Sequence, residues 1–481
     1  MKIPLDRRAK KPIYLQIRDR IQHLIHQGHL IPGSQLPSIR TLAQTVQVNK
    51  LTVIEAYSVL EADGLVCAKP GAGYFINPPA LQSTSSRRST FNPVQEVLLP
   101  NPTRNSFPQL YYARLQSEDD TRYIDFSLGF PQPTGVDDLQ RIARRAMKEA
   151  PTFFHSGHPQ GDLTLRARIV QILIQQGLEI LPENLIITNG SMQALSLLVE
   201  HLISPSDWVV VEAPSYHGFL SILQQRRAQV IGIPMTPQGM NLELLEQYLK
   251  SHRPKLIYTI STLHNPTGIT TSVAHRQKLL SLAEQYDCLI VEDNAYEPLS
   301  FDITPPPIKA FDRRDRVIYL GTFSKTLMPG LRVGYMAVTG KETSALTERK
   351  LLHDFHSSHA SQAIVKEYLA SGHYRRRLNQ IRALHRDRRD CTLKLLAAHF
   401  PDNLSWTVPD GGTFLWIQLP DTLSVSAVSA AAAARKVLVC AGSAFFPAQQ
   451  GYSALRLNFA LPPSAAQRGI QILGDVLKKL Q

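Results

Sequence analysis

One lysine of the chain lies where covalent chemistry is possible. The run GTFSKTLMPGLRVGY (321–335) follows a predicted strand and contains Ser324 and Lys325. The amine of a loop lysine can form a Schiff base with an aldehyde cofactor. Arg332, seven positions later, carries the planar fork that binds a phosphate. Most such lysines are only solvated, and Arg332 could form a surface ion pair, so these residues alone leave both interpretations open.

Further polar residues follow other predicted strands. Asp293 ends the apolar run CLIVED (288–293), and a carboxylate at the carboxyl end of a strand in an α/β sheet points to the crevice where ligands bind. Beside a pyridine nitrogen it would keep that nitrogen protonated, which makes the ring an electron sink. It could also simply cap the next helix. Tyr296 and Asn265 could hydrogen-bond the phenolic oxygen of such a ring, although Asn-Pro by itself is a turn signal.

A phosphate could bind where TNGSMQAL (188–195) turns from a predicted strand into a helix. There Gly190, Ser191 and Met192 would present main-chain N–H groups at a helix N-terminus, which attracts anions. The alternative is an ordinary glycine turn.

Two more residues have both a functional and a structural interpretation. Tyr216 could stack on a cofactor ring or lie in the core. Arg456 stands in the apolar run ALRLNFA (454–460), and a buried arginine needs an anionic partner. That partner could be a substrate carboxylate held through two hydrogen bonds, or a structural Asp or Glu.

The elements that position these residues are predicted from hydrophobic patterning. From Tyr123 onward, short apolar runs alternate with amphipathic helical stretches, which favours an α/β fold with a mostly parallel sheet and helices on both faces. After about Tyr374 the pattern predicts a smaller α/β subdomain. The runs expected to form strands are 185–188, 208–214, 255–262, 288–293 and 316–322.

Residues 1–77 predict three short helices followed by a two-stranded hairpin with a glycine-rich tip. Ser38 and Asn49 are expected to cap the second and third helices. This order is typical of a winged helix-turn-helix, whose third helix enters the major groove of DNA. A small helical module for protein contact is the alternative. The apolar residues at helical spacing are Ile13, Ile17, Ile21, Leu24, Ile25, Ile39, Leu42, Ala43, Val46, Val53, Ala56, Tyr57 and Leu60.

Several residues of this segment are candidates for DNA contact. Arg40, in the first turn of its helix, opposes the helix dipole, and a DNA phosphate would explain its position. Asn49 and Lys50 stand at the end of the third helix that meets base edges, with Thr52 and Glu55 expected on its outer face. The full set of predicted DNA-binding residues is Ser38, Arg40, Asn49, Lys50, Thr52, Lys69, Gly71 and Gly73.

Composition limits the class of protein. The chain has 481 residues, too many for one ordinary domain, and its net charge of +13 raises nucleic acid as a partner. Residues 1–77 are the most basic part, whereas the basic run at 373–390 is interpreted as a solvated helix face. Four separated cysteines form no zinc-type pair and no disulfide framework, which favours a reducing cytoplasm. No apolar stretch approaches the ~18 residues that span a bilayer.

Residues 78–122 are rich in Ser, Thr and Pro and show no apolar period, which predicts a linker. The expected domains are therefore a DNA-binding domain at 1–77, this linker, and a large domain at 123–481.

The N-terminal segment resembles the DNA-binding domain of GntR regulators nearly end to end. The elements G-x-L-x-P-G-x-x-L-P-S-x-R-x-L-A, A-Y-x-x-L-x-x-x-G and G-x-G-x-F stand in that order. The resemblance implies that the chain binds double-stranded DNA.

The large domain resembles fold-type I aminotransferases of class I and II, which implies pyridoxal 5'-phosphate as cofactor. By this resemblance Lys325 would be the Schiff-base lysine, Asp293 the pyridinium partner and Tyr216 the stacking ring. Asn265 and Tyr296 would hold the ring oxygen, and Arg456 the substrate carboxylate. The residues that would line the phosphate cup are Gly190, Ser191, Met192, Ser324 and Arg332.

The chain departs from the aminotransferase pattern at one position. Relatives commonly read Y-G-D-P-x-G where this chain reads SGHPQG (156–161), so Ser156 replaces a tyrosine that would reach the phosphate of a neighbouring subunit. His155 is the residue beside it that could substitute.

Together the two halves resemble the MocR branch of bacterial regulators. The resemblance implies a homodimer in which the DNA-binding domain of one chain packs on the large domain of the other. It predicts a cytoplasmic transcription factor that senses pyridoxal phosphate, an amino compound or both, as an incoming amine displaces Lys325 from the cofactor. The alternatives are a working aminotransferase with a DNA-binding appendage, and a regulator whose large domain is only a dimerisation scaffold.

Overall fold

The computed structural model divides into two compact units, Met1–Arg88 and Ser89–Gln481. No helix in the described part of the chain combines the length and the apolar character needed to cross a membrane. The described residues are 5, 12–26, 30, 33–62, 65–69, 73–76, 97–98, 123–127, 129, 136–149, 154–448 and 451–481.

The N-terminal unit contains the predicted three helices and hairpin. The hairpin strands are antiparallel, with Lys69 opposite Gly73. Apolar residues of all three helices, among them Ile17, Leu42 and Val53, form one buried core, as their helical spacing predicts. The elements are α1 (Ile13–His26), α2 (Ile39–Thr45), α3 (Lys50–Ala62), β1 (Val66–Lys69) and β2 (Gly73–Ile76).

The predicted caps of the second and third helices are confirmed. Ser38 Oγ accepts a hydrogen bond from the amide of Thr41 at 3.1 Å, and Asn49 Oδ1 accepts one from the amide of Leu51 at 3.0 Å. Each side chain thereby satisfies one of the N–H groups that a helix leaves unpaired at its start.

The large unit contains a mostly parallel sheet, which confirms the predicted fold class. Its strand order is β4-β11-β10-β9-β8-β5-β6-β7, and β11 and β7 run antiparallel to their neighbours. Because the other strands share one direction, their carboxyl ends lie at one edge of the sheet. The strands are β4 (Leu185–Thr188), β5 (Trp208–Ala213), β6 (Gln229–Thr236), β7 (Gly239–Met240), β8 (Leu256–Thr259), β9 (Leu289–Asp293), β10 (Val317–Thr322) and β11 (Gly334–Ala337).

Successive residues of the central strands belong to two different hydrophobic clusters. Val209 and Val211 pack in one cluster and Val210 in the other, so both faces of the sheet are covered. The helices around the sheet are α4 (Val136–Glu149), α5 (Leu163–Gln175), α6 (Ser191–Leu202), α7 (His217–Arg226), α8 (Leu242–His252), α9 (Val273–Gln285), α10 (Glu342–Asp354) and α11 (His359–Ala370).

The predicted C-terminal subdomain is a second, antiparallel sheet with its own core. Its strand order is β12-β13-β16-β15, and β14 instead pairs in parallel with β3. Its elements are β3 (Ile124–Asp125), α12 (His373–His399), β12 (Ser405–Trp406), β13 (Phe414–Gln418), α13 (Val425–Ala434), β14 (Val437–Leu438), β15 (Cys440–Ala441), β16 (Ala454–Asn458) and α14 (Pro463–Leu480).

The basic run at 373–390 is helical, but several of its arginines are not solvated. Arg377 donates to the main-chain carbonyls of Thr326 and Leu327, and Arg382 donates to that of Pro298. These hydrogen bonds join α12 to loops of the large sheet. The prediction that the whole run is a solvated helix face is therefore wrong for these arginines.

Part of the predicted linker is anchored. Leu98 exchanges two main-chain hydrogen bonds with Gly232 of β6, at 2.8 and 2.9 Å. The other linker residues, apart from Val97, lie outside the described residues.

Candidate functional site at the carboxyl ends of the parallel strands

The predicted cofactor residues follow the parallel strands at one edge of the large sheet. Gly190 follows β4, Tyr216 follows β5 and Asn265 follows β8. Asp293 ends β9, and Lys325 comes three residues after β10. Ligands of open α/β sheets bind at this edge.

Lys325 and Tyr296 share one main-chain acceptor. Lys325 Nζ donates to the carbonyl oxygen of Gly129 at 2.7 Å, and the Tyr296 hydroxyl donates to the same oxygen at 2.9 Å. Burial, with the nearby Arg456 guanidinium, lowers the pKa of Lys325 to about 7. Near neutral pH, much of this amine is therefore in its neutral, nucleophilic form.

Asp293 is a buried carboxylate. Its side chain accepts hydrogen bonds from the Tyr258 hydroxyl at 2.9 Å and from the Ala295 amide at 3.2 Å. Burial raises the pKa of Asp293, because a low-dielectric site disfavours its charged form. A cationic nitrogen placed beside it would favour the charged form again.

Tyr216 lies between β5 and α7 in the chain, and its side chain reaches the first turn of α6. Its hydroxyl lies 3.3 Å from Met192 Sδ. Burial, reinforced by the negative charge of Asp293, raises the pKa of Tyr216 to about 12. The phenol is thus neutral and available as a flat ring at the site.

The predicted phosphate cup comes together at the N-terminus of α6. Gly190 is the N-cap, with φ +78° and no side-chain capping bond. Arg332 reaches the same turn, with Nη2 3.1 Å from the Asn189 carbonyl oxygen and Nη1 3.5 Å from Ser324 Oγ. The φ of Gly190 favours glycine, and a Cβ atom there would displace the Arg332 guanidinium from this turn.

Arg456 is 2% exposed and lies in β16. Its Nη1 donates to Asn265 Oδ1 at 2.9 Å and its Nη2 to the Ser127 carbonyl oxygen at 2.7 Å. Within the described part of the chain, Nε has no hydrogen-bond partner and no carboxylate pairs with the guanidinium. The structural Asp or Glu that the sequence left open is therefore not found there, although a buried charge needs an anion.

The rings of Phe414 and Phe445 lie 4.0 and 4.9 Å from the Arg456 guanidinium carbon. They hold the guanidinium plane and exclude water from it. Such an environment strengthens hydrogen bonds to an entering carboxylate.

The two residues expected to share the ring oxygen have different partners in the structure. Asn265 contacts Arg456, whereas Tyr296 contacts Gly129. Ser156 and His155 are both exposed in the single chain, so the expected contact with a neighbouring subunit stays a prediction.

The sequence did not predict the residues that contact Lys325, Asp293 and Arg456 in the site. The main-chain carbonyls of Ser127 and Gly129 carry no side-chain signal, and Tyr258, Phe414 and Phe445 stand in apolar runs that read as core. The alternation of buried strand residues could have placed Tyr258 on the same face as the neighbouring Asp293.

Four of the predicted DNA-binding side chains, Ser38, Arg40, Asn49 and Lys50, are exposed, whereas Thr52 is half-buried. Ser38 and Asn49 cap helices, as described above. Gly73 has φ +96°, which only glycine adopts readily. Gly71 and the side chain of Lys69 lie outside the described residues.

The residues at the strand edge fit pyridoxal phosphate. The site offers an amine of lowered pKa for the aldehyde, a buried carboxylate for the pyridine nitrogen and a glycine-lined cradle for the phosphate. It also offers a buried guanidinium whose Nε is unpartnered among the described residues.

Comparison with known proteins agrees with this arrangement. Residues 121–473 match the family of aminotransferases of class I and II, and residues 13–76 match the bacterial regulatory proteins of the gntR family. The fold and site thus define a GntR-type helix-turn-helix domain joined to an aminotransferase domain.

Individual relatives include both regulators and enzymes. The chain is 31% identical to the uncharacterized HTH-type transcriptional regulator YdfD of Bacillus subtilis, over 100% of this chain and 99% of the relative. It is 35% identical to aromatic-amino-acid aminotransferase 1 of Thermococcus litoralis, over 74% of this chain and 88% of the relative.

A solved structure with the same fold is LysN, the α-aminoadipate aminotransferase of Thermus thermophilus, complexed with N-(5'-phosphopyridoxyl)-L-leucine. Its TM-score is 0.71 at 31% identity, covering 75% of this chain and 93% of LysN. The chain belongs to the MocR type of HTH transcriptional regulators, in which a GntR domain is fused to a class I and II aminotransferase domain. It is a DNA-binding transcription regulator, and homologues of its large domain depend on pyridoxal phosphate.

Proposed function

We propose that the aminotransferase domain of this regulator binds pyridoxal 5'-phosphate through Lys325 and senses the cofactor, an amino compound or both. The observation that carries the proposal is Arg456, a guanidinium buried beside a lysine of lowered pKa and lacking a carboxylate partner among the described residues. Such a charge is costly unless an anion joins it, and the carboxylate of an amino acid is an anion of suitable geometry.

In this proposal each residue of the site has one task. Lys325 attaches the cofactor, Asp293 holds the pyridine nitrogen in its charged form and Tyr216 lies against the ring. Asn265 and Tyr296 serve the ring oxygen. The phosphate is bound by the cup of Gly190, Ser191, Met192, Ser324 and Arg332. The bound cofactor supplies an aldehyde carbon for which Lys325 and the amine of a ligand compete.

Ligand binding would change the partners of one short segment. Arg456 Nη2 and Lys325 Nζ now donate to the carbonyls of Ser127 and Gly129. Attachment of Lys325 to the cofactor would release Gly129, whereas an amine that displaces Lys325 would free it to donate to Gly129 again. A carboxylate on Arg456 would take the place of the Ser127 carbonyl. A ligand can shift the regulator only through such differences in affinity between two states.

The proposed assembly is a homodimer with exchanged DNA-binding domains, in domains of 1–77, 78–122 and 123–481. Three large apolar side chains at the end of α10 support a second copy as partner: Leu351, Leu352 and Phe355 are 41%, 87% and 71% exposed. A cluster of this kind on a single chain is typical of an interface.

A titration with pyridoxal phosphate tests the cofactor site. We expect the purified chain to develop a new absorbance band in the visible range, and Lys325→Ala to lose it. Lys341→Ala is the matched control, because its side chain is 94% exposed and it follows β11, whose antiparallel direction places its end at the opposite edge of the sheet. An unchanged band in Lys325→Ala, or no band in the wild type, would end the cofactor proposal.

A working aminotransferase is the second candidate, because Lys325, Asp293, Tyr296 and Arg456 would together supply the chemical groups that begin transamination. Incubation with amino acids and 2-oxoglutarate or pyruvate distinguishes the two. Many rapid turnovers favour the enzyme, whereas a single spectral change without turnover favours the sensor. A wild-type DNA-binding response to ligand in Lys325→Ala would instead favour a large domain that serves only as a scaffold.

A further inference from the structure

Two apolar side chains are exposed on the outward face of α3, near its start. Leu51 is 69% exposed and Ile54, one turn later, is 39% exposed. The opposite face, which includes Val53 and Tyr57, is buried in the core of the N-terminal unit. Leu51 therefore contributes nothing to that core.

Two polar side chains that precede the helices at this end already accept capping hydrogen bonds. Asn49 Oδ1 accepts from the Leu51 amide, and Ser38 Oγ accepts from the Thr41 amide. Thr52 is half-buried, whereas Lys50 is exposed. The side chains most available to a base edge at the first turn of α3 are thus a cation and a leucine.

We propose that Leu51 contacts the 5-methyl group of a thymine in the major groove and so contributes to operator specificity. The inference rests on the DNA binding of this regulator and concerns how the sequence is read. The thymine methyl is the one apolar group that the major groove presents, and apolar side chains recognise it. In helix-turn-helix proteins the first residues of the recognition helix meet base edges.

The charges around Leu51 select DNA over another apolar surface as the occupant. Lys50 adjoins it on the same helix and Arg40 is exposed on α2, while Glu55 is the exposed acid one turn further along α3. Residues 1–77 hold ten Lys and Arg against five Asp and Glu. This basic surface attracts a polyanion, whereas it would repel a second copy of the same basic surface.

The test changes both partners of the proposed contact: the methyl group is removed from the DNA, and the Leu51 side chain is shortened in the protein. Sites are first selected from random duplexes with the full-length wild-type chain. Each thymine of the selected site is then replaced by deoxyuracil, which lacks only the methyl. We expect one thymine per half-site at which replacement weakens wild-type binding about three- to five-fold, the factor for one buried carbon.

The same scan is repeated with Leu51→Ala and with Leu163→Ala as the control, because Leu163 is similarly exposed, at 62%, but lies in the large domain. Leu51→Ala should bind equally to the thymine and uracil sites at that position, whereas Leu163→Ala should respond like the wild type. Binding of all variants to unrelated DNA at low salt reports whether the domain is folded.

Two outcomes would overturn the inference. A flat uracil scan in the wild type excludes a methyl contact, and an unchanged scan in Leu51→Ala assigns the contact to another residue. Failure of the wild type to bind any DNA would instead contradict the DNA-binding function itself, so the two failures are distinguishable.

Discussion

The pocket around Lys325 and the outer face of α3 are both candidate ligand sites, but they are built in opposite ways. In the pocket the charged groups are buried: Arg456 is 2% exposed and Asp293 is 4% exposed. On α3 the basic group Lys50 is exposed, and the unusual group is an apolar one, Leu51 at 69%.

The contrast shows which kind of residue indicates a ligand site in each setting. A charge removed from water is costly, so a buried arginine that meets no carboxylate among the described residues is suited to an anionic ligand. On a basic surface a charge is ordinary, and an exposed apolar side chain at a defined position is the group that needs a partner.

Arg456→Lys is expected to give the largest effect, a loss of affinity for amino acids in the pocket. A lysine keeps the charge but loses the fork that binds a carboxylate with two hydrogen bonds. With hydrogen bonds to charged groups worth about 1.5–3 kcal/mol, affinity for amino acids should fall roughly 10- to 100-fold. Binding is measured by the spectral change of the cofactor-loaded chain with a panel of amino acids.

Each amino acid is paired with the amine that lacks its carboxylate, which serves as the internal control. The amines should bind the wild type and Arg456→Lys about equally. If Arg456→Lys loses the amines as strongly as the amino acids, the variant has damaged the pocket, and Arg456 is not the carboxylate site.

The pH dependence of cofactor attachment tests the buried lysine. Burial lowers the pKa of Lys325 to about 7. The fraction of the amine that is neutral therefore falls about tenfold per pH unit below that value and approaches one above it. The initial rate of band formation at fixed cofactor concentration should therefore rise up to about pH 7 and then level off.

An ordinary exposed lysine, with a pKa near 10.4, would keep accelerating to about pH 10. A short lysine peptide measured in parallel supplies that reference and also corrects for ionisation of the cofactor. A wild-type rate that follows the peptide would show that the pocket does not lower the pKa of Lys325.

Much of the fold could be predicted from the sequence because its signals are local. The apolar run LIIT is β4 without change, and the run Arg316–Thr322 contains β10. Ser38 and Asn49 were identifiable as caps because the capping bond spans only two or three residues.

The parts of the site that could not be predicted depend on long-range contacts. Gly129 meets Lys325 across 196 positions, and Ser127 meets Arg456 across 329. Both contacts use main-chain carbonyls, which every residue has. Leu51 was missed for a different reason: it falls outside the apolar stripe of α3, and the stripe alone does not show that an apolar residue beside it is exposed.

Arg40→Ala sharpens the comparison on the DNA side. If Arg40 contacts a phosphate, its removal should weaken binding several-fold to specific and unrelated DNA alike and reduce the salt slope by about one. The measurement is affinity against salt concentration for both DNAs. Arg314→Ala, an arginine of the large domain whose side chain is 70% exposed, is the control. An unaltered slope would count against Arg40 as a phosphate contact.

Ser38→Ala should have the smallest effect. The measurement asks whether that effect is on the stability of the helix start or on DNA contact. Ser38 Oγ caps α2 through the Thr41 amide, so alanine should destabilise the helix start by about 1 kcal/mol, whereas Ser38→Asn keeps an acceptor and should cost little. Hydrogen exchange at the Thr41 amide of the full-length chain reports this directly. DNA affinity lost in Ser38→Ala with normal exchange at Thr41 would instead place the hydroxyl in the DNA interface. Loss of protection with an unchanged salt slope would mean that Ser38 positions α2 and that Arg40 makes the contact.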